Sequence, residues 1–419
     1  MPSFPSIILL FLSTVLLAPA LAWADLRLYV GTLEVVTSSG KACGGLRGRH
    51  EVSVVLGSDN ENNAYSGILG GEDVSIGRFS GTSLDRLALR YPFADPALAE
   101  GHSVKFSISG TQLNGELRDK HVDDSADECN FDLARLALQQ SEQDEAAIEV
   151  FQQLSARFEA LLARSTALSL LRSGAYAEAV HQYEKALTLA DRAFPYNPPK
   201  LAPFLTGLAN AYMRLGRFEE FIHLHAVRYP VIIDEAVRSI FNGHLIRSYY
   251  HLGRAALGRE EYPAALDYFR KMLAINPLNK DAIAAIMSTY VRSGQHDEAI
   301  AFLEQTEQRL ENEPDRNDVR GAIALIQYQK AKKADQAGRY AEAQANLLKA
   351  IKLDPGTVQY PIVLARWRHK SGSYHEADLI LKKALERFKD GPSRTELTVA
   401  RDKLKITEMM LKKLRRSGG

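Results

Sequence analysis

Apolar and polar residues follow two different rhythms along this chain. Over residues 25–138 they alternate in short runs: Leu26-Arg27-Leu28-Tyr29-Val30, Glu51-Val52-Ser53-Val54-Val55, Leu87-Ala88-Leu89-Arg90-Tyr91 and Val104-Lys105-Phe106-Ser107-Ile108. A period of two puts apolar side chains on one face of a strand. Gly44-Gly45, Gly70-Gly71 and Asn114-Gly115 lie between the runs, and Asn-Gly signals a two-residue hairpin. The pattern predicts seven or eight short strands, hence a small all-β domain over 25–138, a barrel or a sandwich. Its inward positions are mid-sized aliphatics with Tyr29, Tyr65, Phe79, Phe106 and Phe131. About eight strands leave little room once those are inside.

After residue 138 the period becomes helical. Phe151, Leu154 and Phe158 lie at i, i+3 and i+7, which predicts a helical connector over 139–159. From 160 to 391 one phrase recurs: Gly174-x-Tyr176-x-x-Ala179, Gly216-x-Phe218-x-x-Phe221, Glu260-x-Tyr262-x-x-Ala265, Gly294-x-His296-x-x-Ala299, Gly338-x-Tyr340-x-x-Ala343 and Gly372-x-Tyr374-x-x-Ala377. The ring positions are separated by 42, 44, 34, 44 and 34 residues. Glycine takes φ > 0 and ends a first helix, A. The ring is expected to fill the gap between A and a second helix, B. Small residues in helix A (Ala167, Ala209, Gly253, Ala331, Ala365) let the pair approach, and Pro277 and Pro355 stop helix B.

A 34-residue period with this helix-turn-helix grammar resembles the tetratricopeptide (TPR) repeat. The resemblance implies an all-α solenoid of about six repeats, near 160–193, 202–235, 246–279, 280–313, 324–357 and 358–391. Repeats three and four depart from the pattern at Glu260 and His296, and repeat two at Phe221 and Arg228. Insertions of about eight to ten residues after repeats one, two and four are expected to lengthen helices or loops. In the family, helix A lines a concave groove. Arg172, Arg214, Arg292 and Lys370 fall two residues before the turn glycine, and Arg254 and Arg366 about one turn earlier. The resemblance therefore implies a positive groove suited to an acidic peptide or a C-terminal carboxylate. Cations in a last helical turn also complement the helix dipole without any ligand. The family's carboxylate clamp is not reproduced, since Arg164, Ser165 and Leu168 occupy its positions in repeat one. Residues 392–419 form a capping helix and basic tail. Leu404, Leu411 and Leu414 lie among Lys412, Lys413, Arg415 and Arg416, a pattern that reads as a solenoid cap or as a contact with an anionic membrane.

Charge adds little: 52 Lys and Arg stand against 51 Asp and Glu, so nothing points to nucleic acid. Residues 1–24 read as a signal peptide, with an apolar run from Ile7 to Leu17 and Ala22-Trp23-Ala24 before Asp25. Ala18-Pro19-Ala20 is a second candidate cleavage site, and the poorly charged start leaves an uncleaved anchor as the alternative. The expected location is the bacterial periplasm or the medium. In an exported chain the two cysteines, Cys43 and Cys129, read as a disulfide within the β domain. Two free thiols or a metal pair are the rival readings, and no further His or Cys sits at ligand spacing. Asp123-Asp124-Ser125-Ala126-Asp127-Glu128, beside His121, reads as a solvated loop rather than a Ca²⁺ site.

Motifs for a nucleophile elbow, a zinc protease or a phosphate-binding loop are missing. His223, His225, His244 and His251 cluster only loosely. The expected function is a non-catalytic scaffold of the cell envelope, without cofactor, that holds a protein or acidic peptide in the groove; homo-oligomerisation is left open. The alternative is a small-molecule or glycan-binding β domain whose repeats serve oligomerisation. The interior of the β domain discriminates between the two.

Overall fold

The computed structural model describes residues 26–39, 49–59, 64–71, 76–92, 102–118, 130–142, 144–195 and 197–417. The residues fall into two compact units, divided after His244.

The first unit opens with eight strands: β1 (Leu26–Ser39), β2 (Arg49–Asp59), β3 (Ala64–Gly70), β4 (Gly77–Gly81), β5 (Leu87–Arg90), β6 (His102–Ser109), β7 (Gln112–Arg118) and β8 (Asn130–Gln140). Each pairs antiparallel with the next, and β1 pairs with β8 to close a barrel. Closure leaves no exposed sheet edge. The alternation foreseen in the sequence sorts the side chains. Tyr29, Val54, Leu69, Phe79, Leu87, Val104 and Phe106 point inward and belong to one buried cluster. Their neighbours Leu28, Val55 and Ile68 point outward and are buried too, because a helix covers them.

Two expectations about this domain are corrected. Asn114-Gly115 does not make the hairpin: both residues lie within β7, where they pair with Ser107 and Phe106. The β6–β7 turn is Gly110-Thr111, with Gly110 at φ +61°. Gly115 is needed in the strand instead, since a Cβ there would come within 2.8 Å of the Phe106 ring. The disulfide is also withdrawn. No disulfide occurs among the described residues, and Cys43 and Cys129 lie outside them. Barrel closure is carried by the β1–β8 backbone ladder, from Tyr29↔Gln140 to Ser39↔Asn130. Residues 1–24 and the acidic run 123–128 likewise lie outside the described residues.

Among the described residues thirteen α-helices follow: α1 (Asp144–Ser173), α2 (Tyr176–Ala193), α3 (Pro198–Leu215), α4 (Phe218–Arg228), α5 (Glu235–Gly258), α6 (Tyr262–Ile275), α7 (Lys280–Arg292), α8 (His296–Arg309), α9 (Glu313–Gln336), α10 (Tyr340–Leu353), α11 (Gln359–Lys370), α12 (Tyr374–Arg387) and α13 (Gly391–Ser417), with a 3-10 turn at Tyr229–Val231 after α4. The first twelve form six antiparallel A/B pairs. Residues 139–159 are not a connector of their own. They are divided between β8 and α1, because the apolar face of α1 is needed against the barrel. Ala147, Leu154 and Phe158 pack on Leu28, Val55, Ile68 and Ile76. Arg78 reinforces the seam, with Nη1 2.8 Å from Glu159 Oε1 and the guanidinium 4.6 Å from the Phe158 ring. Arg157 Nη2 donates to the Gly71 carbonyl at 3.0 Å. The inserted residues lengthen helices: α5 and α9 each have 24 residues, against 13 in α7.

The six A-to-B turns share one geometry. The N–H of Ala175, Arg217, Glu261, Gln295, Arg339 and Ser373 donates five residues back, at 2.8–3.0 Å, the longer bond of a Schellman end. The residue before each has positive φ, from 61° to 84°. In five turns it is glycine; in the third it is Glu260, at φ 61°. Burial repeats as well. Ala179, Phe221, Ala265, Ala299, Ala343 and Ala377, three after the ring, are at most 1% exposed. Seven after the ring, Tyr183, Phe269, Leu303, Leu347 and Leu381 are buried. These side chains fill the gap between helices, while the ring positions vary: His296 is buried, Tyr262 packs against the core and Tyr340 is 65% exposed. Gly253 answers Phe269: a Cβ there would lie 2.5 Å from the ring.

Two measurements check this account. Left-handed backbone costs a non-glycine residue roughly 1–2 kcal/mol, partly offset by the entropy glycine loses on folding. Glu260→Gly should therefore stabilise the second unit by about 0.5–1 kcal/mol in denaturant unfolding. Phe158→Ala should cost about 3–5 kcal/mol and admit protease near residues 141–143, with the barrel still closed by circular dichroism.

Candidate functional site

The six cations singled out in the sequence are all exposed and all lie in A helices. In the first unit, Arg172 ends α1 and Arg214 lies in the last turn of α3. In the second, Arg254 is in α5, Arg292 ends α7, and Arg366 and Lys370 are in α11. Among the described residues none of the six forms an ion pair. Arg254 meets a tyrosine instead, its Nη1 3.3 Å from the Tyr250 hydroxyl. Other cations of the repeats are paired: Arg228 with Asp191 at 2.6 Å, Arg320 with Glu307 at 2.6 Å, and Arg401 with Asp378 at 2.6 Å. Arg401 holds the Asp378 carboxyl down to about 2.

The position where the family's clamp would begin has another use. Arg164 lies over the Phe204 ring at 5.4 Å, and burial lowers its guanidinium from the ordinary arginine value. Burial also raises the Tyr183 hydroxyl, against the opposing fields of Arg164 and Arg172. Beside them, Tyr212 donates to Glu184 at 2.7 Å. Its own hydroxyl is pushed well up, by burial first and then by that bond. This end of the first unit is thus a packed polar cluster.

A cavity of about 440 Å³ opens in the second unit. Ile283, Ala284 and Met287 of α7, Leu303 of α8, and Val319 and Ala322 of α9 make its floor. The rim carries Lys280, Arg309, Glu311, Asn312, Asp315 and Asp318. Lys280 Nζ lies 2.8 Å from Asp315 Oδ1 and so ties α7 to the start of α9. The cavity exists because α9 begins far ahead of its turn, so its first half faces α7 with aliphatic side chains between. An apolar floor with a few polar rim groups is the usual composition of a binding pocket, and its size is ordinary for one. Sequence reasoning missed these residues. The available signal was the 44-residue spacing between His296 and Tyr340.

Two of the four loosely clustered histidines, His225 and His244, pack within the first unit, while His223 and His251 are exposed. His225 stacks on Tyr229 at 4.4 Å and lies beside Phe221 and Phe241. His244 is 3.0 Å from Asn210 Oδ1. No group of three or more His, Cys, Asp or Glu among the described residues is arranged to hold a metal ion. Burial lowers the His225 imidazole below its ordinary value, against a smaller opposing effect of Asn242. The folded state thus favours neutral His225. Its contribution is complete above the unfolded value near 6.5 and is lost as pH falls below it. Melting temperature should fall between about pH 7 and pH 5.5. His225→Leu should flatten that slope, and an NMR titration should place the His225 midpoint below that of an exposed histidine.

The family model of the tetratricopeptide repeat matches residues 131–198, 256–332 and 324–357. No curated protein matches the chain. Similar solved structures include that of MamA, at 24% identity, covering 45% of this chain and 93% of that one, with a TM-score of 0.25. YrrB, a TPR protein with an unusual peptide-binding site, is 18% identical over 52% of this chain and 94% of that one, with a TM-score of 0.26. The Cut9–Hcn1 hetero-tetramer of the APC/C is 14% identical over 57% and 42%, with a TM-score of 0.24. An eight-stranded β-barrel is thus followed by a solenoid of paired antiparallel helices, and residues 131–198 and 256–357 match the tetratricopeptide repeat, a scaffold fold that generally mediates protein–protein interactions.

Proposed function

We propose that the repeats bind an acidic segment of a partner protein, anchored by an apolar side chain in the cavity between α7 and α9. The cavity carries this reading. Its floor offers aliphatic surface and space for a leucine or phenylalanine side chain, where burial is worth about 1.5–3 kcal/mol. The charge preference comes from the exposed cations of the A helices in this unit, Arg254, Arg292, Arg366 and Lys370. Among the described residues none of the four forms an ion pair. The barrel does not support the alternative of an enclosed small molecule or glycan. Its interior is occupied by Tyr29, Phe79, Tyr91, Phe106 and thirteen smaller apolar side chains, roughly what eight strands can hold.

An array of short peptides of varied composition, probed with the full chain, tests the proposal. The retained peptides should combine Asp or Glu with a Leu or Phe. Ala284→Trp, which fills the cavity, should weaken retention about tenfold, or ~1.4 kcal/mol. Charge reversal at Arg254, Arg292 and Arg366 should weaken it further without unfolding. Retention of basic peptides, or an unchanged array with the Ala284→Trp protein, would overturn the reading.

A further inference from the structure

Helix α13 has a second apolar face that packing on the repeats does not use. Its first half is docked. Leu397 and Ala400 are buried and Leu404 is half-buried against repeat six. Arg401 grips Asp378 with Nε at 2.6 Å and Nη2 at 3.2 Å. His369 Nε2 lies 3.0 Å from the Leu404 carbonyl, and Lys405 is 3.8 Å from Asp378. Every one of these contacts is made by Lys405 or by a residue before it.

Beyond Lys405 the helix continues to Ser417. Ile406 is 47% exposed, Met409 62%, Met410 61% and Leu411 38%. Val399, 46% exposed, precedes Ile406 by seven residues and so shares its side of the helix. The docked residues 397, 400 and 404 lie on roughly the opposite side, which Leu411, seven after Leu404, continues. This segment continues a docked helix, and the ion pair of Glu408 with Lys412 adds little to it. Its exposed Ile406, Met409 and Met410 form an apolar patch of the kind that marks an interaction surface.

Charge says what it meets. From Arg401 to Lys413 the cations Arg401, Lys403, Lys405, Lys412 and Lys413 stand against Asp402 and Glu408; with Asp378 facing Arg401 and Lys405 and Glu408 pairing Lys412, the segment is still net basic in a chain that is otherwise balanced. Lysines beside exposed Ile, Met and Leu match a surface with anionic headgroups over an apolar layer. The apolar side chains enter the acyl boundary while the lysine stems keep their charges at the phosphates. A second copy of α13 fits less well, because pairing would bring lysines against lysines. A span is not involved, since no described helix is long and apolar enough to cross a membrane.

We propose that the outer half of α13 is a peripheral anchor that lies on an anionic lipid bilayer. The site is separate from the α7–α9 cavity and goes beyond the protein-binding reading. The test is co-sedimentation of the full chain with vesicles of equal parts phosphatidylcholine and phosphatidylglycerol, and with phosphatidylcholine alone. The chain should sediment with the anionic vesicles only, and high salt should release it. Met409→Asp with Met410→Asp, and separately Lys412→Glu with Lys413→Glu, should each reduce bound protein at least tenfold. Val227→Asp, at an exposed apolar position on α4, should not. Circular dichroism of each variant checks that the repeats remain folded. Absence of sedimentation, equal binding to both vesicle types, or binding unchanged in the Met409/Met410 variant overturns the proposal. Self-association lost in that variant, without vesicle binding, also overturns it and assigns the face to a second copy.

Discussion

The seam between the barrel and α1 is the contact on which the first unit depends. A helix pair of a solenoid buries its apolar stripe only against neighbours, so the first pair needs something in front of it. Here that neighbour is the outer wall of a barrel. Leu28, Val55, Ile68 and Ile76 would be exposed apolar positions on a free barrel. Ala147, Leu154 and Phe158 would be exposed on a free solenoid. Each surface resolves the other's problem, and Arg78 and Arg157 close its edges with an ion pair and a backbone hydrogen bond. Farther along, the same helix presents Ala160, Ala163 and Ala167 for packing within the repeats. One helix thus belongs to both folds, and a 30-residue length follows from that double duty.

Within the repeats, turn geometry is held by packing more than by residue type. The residue after each left-handed position is Ala, Arg, Glu, Gln, Arg or Ser, yet ψ stays between 61° and 67° in all six. The buried small residue three after the ring sets how closely B approaches A, and the side chain seven after it sets how the gap is filled. Glu260 shows the strength of this constraint, because the third turn keeps its shape without glycine. Where Phe221 replaces a small residue, Phe241, His225 and His244 gather round it as an aromatic cluster.

Much of this was legible in the sequence because it rests on periodicity. Period two gave the strands and their inward faces, and the glycine-ring phrase gave six helix pairs. The failures concern residues with more than one possible use. Gly115 looked like half of a hairpin turn but serves the approach of Phe106. Phe151, Leu154 and Phe158 showed a helix face without showing that a barrel would cover it. The cavity was harder still, because its residues come from three helices and arise from an insertion that could lengthen either a helix or a loop. Position also did not disclose pairing: Arg172 and Arg228 are both arginines near helix ends, and only Arg228 has an aspartate within reach.

That last contrast bears on what the cations are for. The helix dipole favours a cation in any last turn, and it accounts for Arg172, Arg214, Arg292 and Lys370 by position alone. It does not account for the absence of an ion pair to any of them among the described residues. With 51 acidic residues available to 52 basic ones, neighbouring helices supply partners readily, as Arg320 with Glu307 and Glu313 shows. Surface ion pairs contribute only about 0–1 kcal/mol each, so stability is little affected by whether one forms. A cation left exposed on an A helix therefore costs the fold almost nothing and keeps its charge available to a partner.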